Sequence, residues 1–226
     1  MLRRLLARSA MRTQWVCFLN SHSFNIAMLD GECRDGLSAA YAVFPDGCAM
    51  HVAARLCGLP IPKNLPGTDL VPALLESCSG KCFMIGDGPE WIESAACEFE
   101  RRFPRWSVVG FAPGYFGSEE EERRVIDLVN RAKPDLLLIG MGTPLQERFV
   151  LRYADDLRVP LCICVGGLFS YWNGRLIRAP WLMRRLCLEW LWILAQQPHK
   201  LGRYTIGIAR FFATALRHRW RASSGP

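Results

Sequence analysis

The stretch "PDLLLIGMGTPLQE", residues 134–147, decides how this chain folds. Leu136, Leu137, Leu138 and Ile139 form a continuous apolar run, which suits a strand covered on both faces. The run leaves through Gly140 and Gly142. Pro144 then stands where a helix should begin, and Gln146 and Glu147 follow it. Packing in a tight turn accounts for the glycines. It does not account for the polar pair.

The same design recurs on either side. Apolar runs at 81–86 ("KCFMIG"), 106–111 ("WSVVGF"), 135–140 and 160–167 ("PLCICVGG") alternate with stretches of helical period. The segment 89–103 places Ile92, Ala95, Ala96 and Phe99 at helix spacing. The segment 118–132 has Ser118 as an N-cap, acids in its first turn, and Val125, Leu128 and Val129 on one face. Residues 144–157 supply the third helix. Upstream, strands are expected at 15–20 and 41–44, and helices at 21–30, at 48–58 closed by Gly58, and at 67–78 capped near Thr68 or Asp69. Such alternation predicts an α/β fold: a Rossmann-like layer with a mostly parallel sheet and right-handed crossovers. A basic, Trp-rich, helical C-terminal appendage follows. The expected divisions are 1–14, a basic extension; 15–178, the Rossmann-like domain; and 179–226, the appendage.

The composition limits the function classes. Of 226 residues, 50% are hydrophobic, enough for a full core. The net charge of +7 is concentrated at the ends. Arg3, Arg4, Arg8 and Arg12 precede the first acid, Asp30. After Pro180, eight Lys or Arg residues face one acid, Glu189. Basic ends around a balanced body point to an anionic partner: a membrane, a nucleic acid or a phosphorylated substrate. Residues 1–14 fit a transit peptide or a non-native extension upstream of Met11, and they stay outside the fold argument. Ten cysteines show no Cys-x-x-Cys spacing, and four histidines show no ligand spacing with them. The expectation is reduced, buried thiols in a cytosolic protein, with no metal site and no cofactor. No run reaches the roughly 18–20 apolar residues that span a bilayer.

In an open parallel sheet, ligands bind at the carboxyl ends of the strands. Several glycine-bearing loops fall there: "PDG" (45–47), "GDGPEW" (86–91), "APGYFG" (112–117), "GMGTPLQE" (140–147) and "GGLFSYWNG" (166–174). Each fits an ordinary turn taken singly. Together they frame a site for a nucleotide or nucleotide-sugar phosphate. Asp46 is either a turn-and-cap residue or a carboxylate placed to take a proton from a hydroxyl, with its pKa tuned by burial.

Nine short motifs then occur in one order: "LN" (19–20), "PDG" (45–47), "GTDL" (67–70), "GYF" (114–116), "PDLLLIGMGTPLQE" (134–147), "VGGLF" (165–169), "RAP" (178–180), "EWLW" (189–192) and the tail from Pro198 to "RY" (203–204). This set resembles the WecG/TagA/CpsF glycosyltransferases over about residues 15 to 205. The resemblance implies an inverting, metal-independent transfer of a hexose or N-acetylhexosamine from a UDP-sugar to a polyprenyl-pyrophosphate-linked sugar, in bacterial surface polysaccharide synthesis. It places the base at Asp46, with Asn20 beside it. It assigns a ligand contact to Gln146 and phosphate contacts to Lys200 and Arg203; the converging strand-exit loops add Gly86, Gly114, Tyr115, Gly140, Gly142, Gly166 and Gly167 as candidate substrate-binding residues. Three positions depart from the family pattern. Phe18 replaces a threonine, Asn64 an arginine before "GTDL", and Ile193 an arginine after "EWLW". These departures leave the reaction class standing and put an acetamido donor in doubt; an exopolysaccharide branch thought to use glucose comes into view.

From Lys200 to Trp220, Leu201, Tyr204, Ile208, Phe211, Phe212 and Ala215 follow one helical face, opposite Arg203, Arg210 and Arg217. That face either packs on the domain or lies on anionic lipid, with Trp190, Trp192 and Trp220 at headgroup depth. A lipid-linked acceptor favours the second, with 181–221 on the inner face of the plasma membrane of a cytoplasmic, peripheral protein. The rival class is a non-catalytic nucleotide- or nucleic-acid-binding module using its basic ends. No nucleic-acid motif supports it, and nucleic acid is not an expected partner.

Overall fold

The computed structural model of the protein describes residues 13–60 and 64–223. The elements, in chain order, are β1 (Gln14–Leu19), α1 (Ser21–Ala27), α2 (Gly31–Ser38), β2 (Ala42–Pro45), α3 (Cys48–Cys57), α4 (Gly67–Ser77), β3 (Gly80–Gly86), α5 (Pro89–Arg102), β4 (Trp106–Ala112), α6 (Glu119–Ala132), β5 (Leu136–Gly140), α7 (Leu145–Tyr153), β6 (Leu161–Cys164) and α8 (Leu168–Trp172). The appendage adds α9 (Trp181–Arg185), α10 (Glu189–Gln196), a 3-10 turn (Pro198–Lys200), α11 (Leu201–Tyr204) and α12 (Ile206–Ser223).

The strands form one six-stranded sheet in the order β2-β1-β6-β5-β3-β4, and each neighbouring pair is parallel. The expected Rossmann-like layer is present, and its sheet is parallel throughout. Successive side chains of a strand point to opposite faces. Leu136 and Leu138 of β5 join α4, α5 and α8 in one core, which includes Leu75, Phe99 and Phe169. Leu137 and Ile139 join α2, α6 and α7 in the other, with Leu37, Val129 and Phe149. Both faces are covered, which is why the strand sequences are apolar throughout.

The expected helices at 48–58 and 118–132 are present. Gly58 closes α3 in the left-handed region (φ 69°), and Ser118 accepts from the Glu121 N–H at 3.4 Å. Other expectations need correction. Leu128 is 51% exposed, because Ile126 joins Val125 and Val129 and turns the buried face of α6 away from it. The segment after Asp30 holds a separate helix, α2, which Asp30 starts by accepting from the Cys33 N–H at 3.0 Å. Helix α4 begins at Gly67 after Pro66, and Asp69 is free to pair elsewhere. Most of the basic extension lies outside the described residues. Its last two positions belong to the fold: Thr13 is buried and donates to the Leu157 carbonyl at 2.6 Å, and Gln14 opens β1.

The appendage is a chain of short helices rather than one rod. The chain breaks at Thr205, between α11 and α12. Phe211 is buried among Met50, Ala53 and Phe24, with Phe212 and Ala215 beside it. The apolar face of α12 is therefore spent on α1 and α3. Leu201, on the other side of the break, is exposed. Helices α9, α10 and α11 bury no residue fully. They are held by Asp69, which pairs with Arg178 at 2.6 Å and Arg184 at 3.7 Å, and by Trp192 and Gln196, both donating to the Ile177 carbonyl at 2.9 Å. Among the described residues no helix is long and apolar enough to cross a membrane.

The cysteine expectation is overturned at one pair. Cys48 is bonded to Cys187, tying the start of α3 to the appendage across 139 residues of chain. The thiols of the strands, Cys17, Cys82, Cys162 and Cys164, are free and buried as expected, whereas Cys97 is free and exposed. Alkylation in denaturant without reductant should modify eight of the ten cysteines and spare Cys48 and Cys187. Reduction should lower the Tm by roughly 5–15 °C, since a bond of this kind is worth about 2–4 kcal/mol and each kcal/mol shifts a chain of this size by about 2–4 °C. Modification of all ten cysteines under oxidising conditions would refute the bond.

Candidate active site

The exits of β1, β2, β5 and β6 meet the appendage around a cavity of about 210 Å³. It lies where the chain's direction across the sheet reverses, between the β2–β1 edge and the rest. Asn20 and Asp46 come from the exits of β1 and β2, Gln146 from α7, and Gly166 and Gly167 from the exit of β6. Lys200 and Arg203 come from the appendage. The structure thus gathers these seven of the residues singled out in the sequence.

Asn20 is oriented by the helix it starts. Its Oδ1 accepts from the His22 and Ser23 N–H groups at 3.0 and 3.1 Å. With the oxygen engaged as an N-cap, the amide NH₂ is left for Asp46, to which it donates. Asp46 itself is pinned through its backbone N–H, which donates to the Leu19 carbonyl at 2.8 Å. Burial pushes the Asp46 carboxyl up from 3.8 to about 6, against the pull of Asn20; Glu189 adds to the rise, and Arg203 and Arg178 oppose it. A carboxylate tuned to that range is ionised at neutral pH yet basic enough to accept a proton.

Gln146 is buried between two protein partners. Its Oε1 accepts from the Gly166 N–H at 2.9 Å, and its Nε2 donates to Glu147 Oε1 at 2.8 Å. It braces the β6 exit, and the second Nε2 hydrogen remains for a ligand. Glu147 is fully buried and also accepts from Thr143 Oγ1 at 3.0 Å; burial raises its pKa. The polar pair of the opening stretch is thus the joint between β5 and β6.

Five other candidates do not line the cavity. Gly86, Gly114 and Gly140 serve close packing. A Cβ on Gly86 would lie 2.5 Å from the Gly140 carbonyl carbon, one on Gly114 2.6 Å from the Gly86 Cα, and one on Gly140 2.7 Å from the Phe169 ring. Gly142 supplies a turn at φ 77°. Tyr115 is exposed, away from the cavity.

The cavity carries charges of both signs. Asp46 and Glu189 line it together with Tyr171, whose hydroxyl is pushed up to about 12 by burial and then by Glu189. Lys200 and Arg203 are the cations of its lining, and His22 lies close enough to both that burial and their charges lower it to about 4. Sequence reasoning missed Tyr171, Tyr204, Thr68 and Glu189 as lining residues. Thr68, Glu189 and Tyr204 lay within quoted motifs and Tyr171 within the quoted loop 166–174; Glu189 is also the one acid after Asp156. Of the three departures, Phe18 and Ile193 face the cavity, while Asn64 accepts from the Gly47 N–H at 2.9 Å, beside Asp46. Among the described residues no group of three His, Cys, Asp or Glu side chains is placed to hold a metal.

A doubly covered parallel sheet, with a polar cavity at the carboxyl ends of its strands, defines a Rossmann-like α/β protein. Its particular kind follows from comparison: the chain belongs to the Glycosyl transferase WecG/TagA/CpsF family, whose model matches residues 1–225. It is a glycosyltransferase. A protein of Bacillus spizizenii is 29% identical over 193 residues, covering 84% of this chain and 73% of its own length. One from Bacillus subtilis is 27% identical over 194 residues, covering 84% and 74%. One from Staphylococcus aureus is 23% identical over 205 residues, covering 89% and 80%. All three are named N-acetylglucosaminyldiphosphoundecaprenol N-acetyl-beta-D-mannosaminyltransferase.

The raised pKa of Asp46 has a consequence for stability. Between pH 3.8 and about 6 the folded chain holds a proton there that the unfolded chain releases, so this group's contribution to stability falls as pH rises through that window. Asp46→Asn removes the effect. Its Tm relative to the unaltered protein should be near zero difference below pH 4, rise between pH 4 and 6, and stay higher above. Thermal melts across pH 3.5–8 check this; a variant that is less stable at pH 7.5 would contradict the buried-carboxylate reading.

Proposed function

We propose that the protein transfers a hexose or N-acetylhexosamine from a UDP-sugar to a sugar carried on polyprenyl pyrophosphate, with inversion, in the assembly of a bacterial surface polysaccharide. One observation carries this reading: a base-tuned carboxylate, Asp46, and two cations, Lys200 and Arg203, line the same cavity. The relatives' names supply the acceptor class.

The reaction is a single displacement. Asp46 takes the proton of the acceptor hydroxyl as that oxygen bonds to the anomeric carbon, a contribution of about 10²–10⁴-fold. The bond from the anomeric carbon to the diphosphate breaks, and its electron pair leaves with UDP. Lys200 and Arg203 meet the charge that develops there, which gives the transfer a route that needs no divalent metal. Phe18 and Ile193 put apolar side chains into the cavity at the positions that depart from the family pattern. The donor sugar can therefore differ from that in the relatives' names.

The lipid-linked acceptor calls for a membrane-facing surface, peripheral on the cytoplasmic side. With the apolar face of α12 packed inward, the candidate is the exposed set Ile177, Trp181, Leu182, Leu186 and Ile206, beside Arg185 and Arg210. Apolar side chains flanked by arginines suit an anionic interface.

The test is a donor screen. Purified protein, with and without a thiol reductant because of Cys48–Cys187, is given polyprenyl-pyrophosphate-linked glucose or N-acetylglucosamine and a panel of UDP-sugars. At least one UDP-sugar should be turned over, with EDTA harmless, and Asp46→Asn should lower turnover by about two to four orders of magnitude while retaining UDP binding. Turnover that EDTA abolishes and magnesium restores would overturn the metal-free route. Near-normal turnover by the variant would remove Asp46 as base.

For the membrane surface, flotation with anionic liposomes should weaken with salt, each Lys or Arg there contributing about 1 kcal/mol. The double variant Trp181→Ser, Leu182→Ser should lose flotation while keeping transfer to a short soluble acceptor. Unchanged flotation would exclude this surface.

A further inference from the structure

Glu189 is the second carboxylate of the cavity, and the proposed displacement leaves it without a task. It is the first residue of α10, at the point where the appendage reaches over the β2 exit. Among the described residues its ion-pair partner is distant: Arg178 Nε lies 3.8 Å from its Oε1, while the same guanidinium makes a close contact of 2.6 Å with Asp69. The side chain is 31% exposed, toward the cavity it lines. A carboxylate in that state has acceptor capacity to offer a ligand.

Its surroundings select the kind of ligand. The diphosphate is drawn to Lys200 and Arg203, and like charge keeps it from Asp46 and Glu189. Sugar hydroxyls are what remain to face the two carboxylates. Resting on the reading that Asp46 is the base, we infer that Glu189 binds the acceptor sugar, accepting a hydrogen bond from a hydroxyl next to the one Asp46 deprotonates. The same charge acts on the base. The groups facing Asp46 are Asn20 from the β1 exit, Arg178 from the segment after α8, Tyr171 from α8, Glu189 from α10, and Arg203 and Tyr204 from α11. Among them Glu189 is the other carboxylate, and its charge makes Asp46 a stronger base. Donor binding, assigned to Lys200 and Arg203, should not depend on it.

Two substitutions separate hydrogen bonding from charge. Glu189→Gln removes the charge and weakens the acceptor contact. The KM for the polyprenyl-linked acceptor should rise about 10- to 100-fold, the range for a hydrogen bond to a charged group, with the KM for the UDP-sugar within about twofold of normal. The rising limb of kcat/KM against pH, expected near 6 for the unaltered enzyme if Asp46 is its base, should move to lower pH. Glu189→Asp keeps the charge on a shorter arm, so it should raise the acceptor KM but leave the limb in place. Because Arg178 retains Asp69, both variants should melt within a few degrees of the parent.

An unchanged acceptor KM in Glu189→Gln would overturn the binding role, and a limb that does not move would overturn the charge role. A raised donor KM with a normal acceptor KM would assign Glu189 to the other substrate and refute the inference. Failure of the base reading is visible separately, as full turnover in Asp46→Asn.

Discussion

All six strands run the same way, and every other feature of the site depends on that constraint. A parallel strand cannot return through a hairpin, so each must leave the sheet through a crossover. Every exit loop is therefore delivered to one edge. Asn20, Asp46, Gln146 and Gly166, separated by up to 146 positions in the chain, meet because β1, β2, β5 and β6 end together. The glycines at 86, 114 and 140 belong to the same constraint from the packing side. They let three exits approach closely, and a Cβ at any of them would collide.

The edge alone makes half a site. The core strands bring Asp46 and its amide neighbour Asn20, whereas Lys200, Arg203 and the second carboxylate, Glu189, arrive with the appendage. That division matters energetically. Helices α9, α10 and α11 bury no residue fully and rely on Asp69, the Ile177 carbonyl and the Cys48–Cys187 bond. Only α12 has a hydrophobic anchor, at Phe211. The segments that complete the cavity are thus lightly packed, and lightly packed segments are where local opening is easiest.

The bond between Cys48 and Cys187 lies two residues from Asp46 and two from Glu189. It fixes the distance between the two halves where both carboxylates sit. The ion pairs from Asp69 to Arg178 and Arg184 hold the same junction from the other side. Asp69 of "GTDL" and Arg178 of "RAP" join body to appendage here, while Thr68 of the first motif lines the cavity.

By itself the sequence determined the layer architecture, because a doubly buried strand and an amphipathic helix leave different periods in the chain. It also determined Ser118 and Gly58 as helix ends, whose hydrogen bonds are local. The ordered motifs marked Asp46, Asn20, Lys200 and Arg203, whereas Glu189 stood out in sequence only as the lone acid of a basic tail. Only the tertiary structure decided which exits reach the cavity, since Gly86, Gly114 and Gly140 look the same in sequence whether they face a ligand or a neighbouring strand. It alone decided that Phe211 packs on α1 and α3, because a helical stripe does not say what covers it. The pairing of Cys48 with Cys187 was equally out of reach: 139 residues separate them, and contact over that span is fixed by how the appendage folds back, which no local spacing records.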